Sequence, residues 1–192
     1  MTVKTMVSTR NLWIVLWGAI YLVSWKVDCF LLFSNRGIQV IGNQYYRFLT
    51  GLFVHVNFFH FLINAVTVYC VFYFLGGKIN EIKLLVFSIV AGCLTNVVFS
   101  ILYPNSESVG GSPVVFGLLA LLAVLQICSP DLLRFRWKTI YGQWIIGYAV
   151  LSNIPIFSKD GSTLTIHLIA FLLAFLLGFV GRKTGILSGR DG

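Results

Sequence analysis

Six long apolar stretches, joined by short connections, constrain this chain more than any other feature. They run from Leu12 to Trp25, Asn57 to Leu75, Leu84 to Tyr103, Pro113 to Cys128, Ile140 to Phe157 and Leu164 to Val180. A hydrocarbon core about 30 Å thick is crossed by roughly 20 residues of α-helix. In lipid a stretch of this kind can satisfy its peptide groups only within itself, which selects helix. The alternation of a membrane barrel is missing. The expected fold is an all-α integral membrane protein, a bundle of six transmembrane helices. It forms one membrane domain over 1–192, with spans over about 11–27, 56–76, 83–103, 112–129, 139–157 and 162–181. Composition agrees, because 58% of the residues are hydrophobic and only 10% are charged, far from the balance of a soluble domain.

The formal charge of +8 raises the question of nucleic acid. The basic residues, however, sit in the connections between apolar runs and not along one face or tail, which argues for no nucleic-acid partner. Lys4, Arg10, Lys78, Lys83, Arg134, Arg136, Lys138, Arg182, Lys183 and Arg190 fall on one side of the bilayer if both termini share it, against Lys26, Arg36, Arg47 and Lys159 on the other. The positive-inside rule then places both termini in the cytoplasm of a multi-pass protein, with the cell membrane as its expected location. The first run follows Lys4 and Arg10 as a signal peptide would, yet no small-x-small cleavage site follows and further spans do. It reads as a signal anchor. Residues 27–47 become an external connection whose apolar Cys29 to Phe33 should rest in the bilayer interface. Cys29, Cys70, Cys93 and Cys128 lack metal-like spacing and read as packing residues. No metal or other cofactor is expected.

Polar side chains inside spans are costly and need a partner or a task. His60 and Asn64 share one face of the second span, Ser112 heads the fourth, and His167 lies five residues into the sixth. With the termini inside, all three of these spans begin at the external face, so one shallow external pocket can hold all four residues. For His60 and Asn64, interhelical glue and function both remain open, while Asn96 in the third span reads as glue. Ser112 follows Gly110 and Gly111 and precedes Pro113. Its position suits first of all a helix N-cap; a nucleophile at the same place would offer its oxyanion the free N–H groups of a helix start. Ala170 and Ala174 allow the helix carrying His167 to approach a neighbour closely. If that neighbour is the fourth span, Phe116 meets the imidazole, and Ser112 and His167 form a nucleophile and base. No carboxylate lies within a span, since Glu107 and Asp160 belong to external connections.

These residues resemble the rhomboid family of intramembrane serine proteases. The run Tyr46-Arg47-Phe48-Leu49-Thr50 with His55, His60 and Asn64 is similar to the family's second-span signature, Gly110-Gly111-Ser112 to its active-serine motif, and His167 to its sixth-span histidine. The resemblance implies a rhomboid-like bundle that cleaves transmembrane segments of other membrane proteins by a Ser-His dyad. It makes Ser112 the nucleophile and His167 the base. It assigns the oxyanion to His60, Asn64 and the Ser112 N–H, and gives Phe116 the place of an aromatic that stacks on the histidine. Gly110 belongs to the serine motif, and His55 and Arg47 take positions that hold the first external connection. The sequence departs from the family pattern at Pro113, where glycine is usual, at Ala170 and Ala174, again in place of glycines, at Tyr46, where tryptophan is common, and at Asn80-Glu81, which displace an acidic residue after Gly76-Gly77. Two other readings compete. One is an inactive relative that binds transmembrane clients. The other is a small transporter using His55, His60 and His167, which would require broken helices and acidic partners that the spans do not supply.

Overall fold

The computed structural model describes residues 9–131, 133–154 and 161–187. Lys4, Lys159, Asp160, Arg190 and the end of the fifth expected span lie outside the described residues. Eight helices occur among those described: α1 Thr9–Val23, α2 Cys29–Phe33, α3 Arg47–Thr50, α4 Phe58–Leu75, α5 Glu81–Leu102, α6 Ser112–Cys128, α7 Ile140–Leu151 and α8 Ser162–Lys183. Three of them, α4, α5 and α8, are long and apolar enough to cross a membrane, whereas α1, α6 and α7 are apolar but shorter. The 12 residues of α7 give a rod of about 18 Å. Local polar chemistry ends it. Ser152 Oγ donates to the Tyr148 carbonyl at 2.6 Å and Asn153 Nδ2 to the Ala149 carbonyl at 2.7 Å, so side chains take the carbonyls of the last turn. The helix starts are equally local. Asn57 accepts from the His60 N–H, Asn80 from Ile82 and Thr139 from Gly142, each satisfying a first-turn donor.

At the centre stands α6, whose stretch from Ser112 to Leu122 is buried on every side, as befits a helix that is apolar all round. It packs against α8, α5 and α4. The tightest approach runs through small residues. A methyl group added at Gly117 would sit 3.4 Å from Ala91 Cβ on α5 and 3.6 Å from Ala174 Cβ on α8. The alanine in place of a family glycine is therefore accommodated by a glycine on the facing helix. Along α8, Ala170 and Ala174 are buried while Leu168, Leu172 and Leu176 are exposed. Small residues face inward and large apolar ones outward, the arrangement of a helix packed in lipid.

Two tryptophans dock α1 on this core. Trp13 Nε1 donates to Ser88 Oγ at 3.1 Å and Trp17 Nε1 to the Leu52 carbonyl at 3.0 Å. Asn96 behaves as interhelical glue, its amide donating to the Phe48 carbonyl at 2.8 Å.

The connection from α1 to α4 is held by α3 and the residue before it. Arg47 is buried and donates to the Ser34 and Leu31 carbonyls at 3.1 and 3.0 Å, Thr50 to that of Phe33 and Tyr46 to that of Leu32. Four successive carbonyls of the α2 segment thus meet donors from residues 46–50. Phe30, Leu31, Leu32 and Phe33 leave an apolar surface exposed. A two-residue strand β1, Asn35–Arg36, pairs antiparallel with β2, Glu107–Ser108, and the Arg36–Glu107 ion pair closes at 3.1 Å. This pairing ties the first connection to the segment that leads into Ser112.

Candidate active site

Ser112 is placed by a turn that requires glycine. Gly110 has φ of +117°, a conformation that side chains disfavour, and a Cβ there would lie 2.5 Å from His60 Cε1. The Gly110 N–H donates to the Gly51 carbonyl at 3.0 Å and the Gly111 N–H to His55 Nε2 at 3.2 Å. Both bonds fix the chain just ahead of the serine. Here the structure departs from the cap expectation: Ser112 is the first helical residue, Gly111 takes the cap position, and no side-chain cap bond is made among the described residues. Pro113 sits in the first turn, where its missing N–H costs no helical bond. The serine hydroxyl is left without a hydrogen bond among the described residues.

His55 therefore reaches the serine turn itself and not the α2 segment that Arg47 holds. Because its Nε2 accepts from a peptide N–H, its proton must sit on Nδ1, which lies 3.3 Å from the Phe53 carbonyl. Burial, reinforced by the adjacent His60 and only partly offset by the Phe53 carbonyl, lowers its pKa to about 3. The His55 and His60 rings meet edge to face at 5.1 Å.

His167 projects from the second turn of α8. Its ring stacks on Phe116, with centroids 4.2 Å apart and planes at 15°. Phe116 lies one helical turn beyond Ser112 on α6, which brings the imidazole to the serine's side of that helix. The ring's Nδ1 lies 2.8 Å from Asn153 Oδ1. Ser112 and His167 line one cavity, without a direct hydrogen bond between them among the described residues.

Asn64, on α4, is 1% exposed. Its Oδ1 accepts from the Tyr148 hydroxyl at 2.8 Å, and its Nδ2 is buried with no partner among the described residues. The cavity, about 920 Å³, is lined by His60, Asn64, Ser112, Tyr148 and His167 together with apolar residues of α4 and α7, including Ile63 and Leu151. Its volume lies in the range of sites that enclose a ligand of some size. Glu107 reaches its edge but is paired with Arg36.

The structure thus brings His60, Asn64, Ser112 and His167 to one cavity, sets Phe116 against His167 and Gly110 against His60, and leaves Arg47 in the connection from α1 to α4. Two residues at the site were not singled out in the sequence. Tyr148 carries no signal, since a tyrosine in an apolar helix is ordinary. Asn153 does carry one: it is an amide within the fifth apolar run, the same criterion that marks Asn64 and Asn96.

The Rhomboid domain family model matches residues 42–184, most of the chain. No curated protein gives a significant match. The chain belongs to the rhomboid family.

Proposed function

We propose that this rhomboid-family chain is an intramembrane serine endopeptidase that cleaves transmembrane segments of other membrane proteins through Ser112 and His167. The observation that carries this reading is the convergence of His60, Asn64, Ser112 and His167 on one cavity, with Asn64 Nδ2 buried without a partner among the described residues. A buried unsatisfied donor costs on the order of 1–3 kcal/mol. Interhelical glue has no use for a donor left unpaired, whereas an oxyanion site must keep one free for the charge that develops.

Ser112 Oγ attacks the scissile carbonyl carbon while its proton passes to His167 Nε2. The carbonyl oxygen becomes an oxyanion that accepts hydrogen bonds from Asn64 Nδ2, from His60 and from the Ser112 N–H. As the intermediate collapses, the C–N bond breaks and the departing amine takes the proton from His167, leaving an acyl ester on Ser112. Water then attacks the ester, giving its proton to His167. Collapse releases the carboxylic acid and returns the proton to Ser112. No step calls on a cofactor.

The reading includes six crossings with both termini cytoplasmic, in a cell membrane, supported by the distribution of basic residues. Helices α4, α6 and α8 then all begin at the external face, and His167, five residues into α8, lies roughly 7–8 Å below its start. The apolar cavity walls of α4 and α7 suit an apolar substrate arriving from the bilayer.

A client-binding relative without activity draws on one observation, the missing Ser112–His167 bond. Catalytic hydrogen bonds in unliganded sites are commonly long and close when substrate binds, and the inactive reading leaves the free Asn64 donor without a purpose. The test is incubation of the purified protein with a model transmembrane substrate, wild type against Ser112→Ala.

A further inference from the structure

We infer that Asn153, at the end of α7, is the positioning residue for His167, holding the imidazole with its proton on Nδ1 and its Nε2 lone pair free for the serine proton. The inference rests on the protease reading and deepens it by adding a third member to the dyad.

An asparagine side chain has one face that donates and one that accepts. Asn153 Nδ2 lies 2.7 Å from the Ala149 carbonyl, which can only accept, so the amide cannot be turned around. The face 2.8 Å from His167 Nδ1 is therefore Oδ1, an acceptor. An acceptor at that distance requires the histidine proton on Nδ1, which leaves the lone pair on Nε2. The Phe116 stack fixes the plane of the ring, and the Asn153 bond fixes its rotation within that plane and its tautomer. A histidine that serves as base needs both. Asn153 is half-buried and does not line the cavity, so it acts through His167 and not on the substrate.

A purely structural role is the alternative, because the same amide caps α7. The two roles use opposite ends of the side chain, and variants separate them. Asn153→Asp keeps an acceptor for His167 and loses the donor to Ala149. Asn153→Leu loses both. We expect Asn153→Leu to lower kcat and the rate of fluorophosphonate labelling of Ser112 by roughly 10- to 100-fold, the scale of a misplaced reacting group, and Asn153→Asp to remain within about threefold of wild type. A cap alone would make Asp at least as damaging as Leu, and that result overturns the proposal. The second measurement is ¹⁵N NMR of histidine-labelled protein, which carries three histidines. Wild-type His167 should show the Nδ1–H tautomer, and an Nε2–H tautomer overturns the proposal even if every variant fails to fold. A labelled, active wild type whose rate is indifferent to Asn153 sinks this inference alone. A wild type that neither cleaves nor labels sinks the protease reading and the positioning role with it.

Discussion

The Phe116 and His167 rings lie face to face, 4.2 Å between centroids and 15° between planes. Phe116 comes from the helix that begins at Ser112, and His167 from the helix that packs most extensively against it. On the proposed protease reading, the stack converts helix packing into alignment of serine and histidine. Phe116→Leu keeps an apolar side chain but removes the flat surface. We expect kcat to fall on the order of tenfold, as for a modest misplacement of the base, with loss of stability near the 0.5–1.5 kcal/mol of an aromatic pair. Phe116→Tyr should stay close to wild type. Turnover of a transmembrane substrate beside thermal unfolding in detergent checks both; full turnover in the leucine variant contradicts the alignment role.

Asn64 and His60 separate function from packing. Losing an oxyanion donor typically costs about 10² to 10³ in turnover, whereas losing an interhelical hydrogen bond in a membrane costs nearer 0.6 kcal/mol of stability. Asn64→Ala and His60→Ala should each lower kcat by that larger factor with little change in Tm. Tyr148→Phe, which frees Asn64 Oδ1, should lower kcat less than Asn64→Ala does. Variants that melt early yet turn over normally when folded would return the pair to packing.

His55 gives a pH dependence with a definite sign. Its neutral form is required, because Nε2 accepts from the Gly111 N–H and burial holds its pKa to about 3. An unfolded histidine titrates near 6.5, so between these values the unfolded chain binds the extra proton and stability rises with pH. Its contribution is complete above about pH 6.5 and drains as pH falls toward 3, by up to about 1.4 kcal/mol per pH unit. Unfolding of wild type and His55→Leu across pH 4 to 7 checks this: the variant should be less stable at neutral pH and show a shallower slope. Parallel slopes would contradict it.

The inside-positive distribution predicts cytoplasmic termini and an external 105–109 segment. Single-cysteine variants in a background lacking the four native cysteines, labelled on intact cells, should react at 105–109 and stay protected at the termini. The reverse pattern would overturn the orientation.

How far this was legible in the sequence depends on the kind of information each residue carries. Apolar runs announce helices because lipid leaves the backbone no alternative, and α4, α5 and α8 meet that length and hydropathy. Polar residues stranded in those runs mark the site for the same reason, which is how His60, Asn64, Ser112 and His167 could be picked out before the structure put them on one cavity. The true end of α7 was less legible, since it turns on two side-chain bonds, Ser152 to Tyr148 and Asn153 to Ala149, that hydropathy does not register. Tyr148 stayed hidden because its importance lies in what it touches, Asn64, and Asn153, though marked as an amide in an apolar run, could not be paired with His167 from sequence because such pairings are set by tertiary packing. The cap reading of Ser112 failed because Gly111 takes that place, so that the hydroxyl is left to the cavity.

The central claim is that Ser112 is a nucleophile activated within the bundle. Its most direct measurement is cleavage of a model transmembrane substrate by purified wild type and Ser112→Ala in matched liposomes, with the fluorophosphonate adduct located by mass spectrometry. The account predicts cleavage and a single adduct at Ser112 in wild type, and neither in a Ser112→Ala protein that is as well folded. Cleavage by Ser112→Ala at close to the wild-type rate, or a folded wild type that neither cuts nor labels, would contradict it.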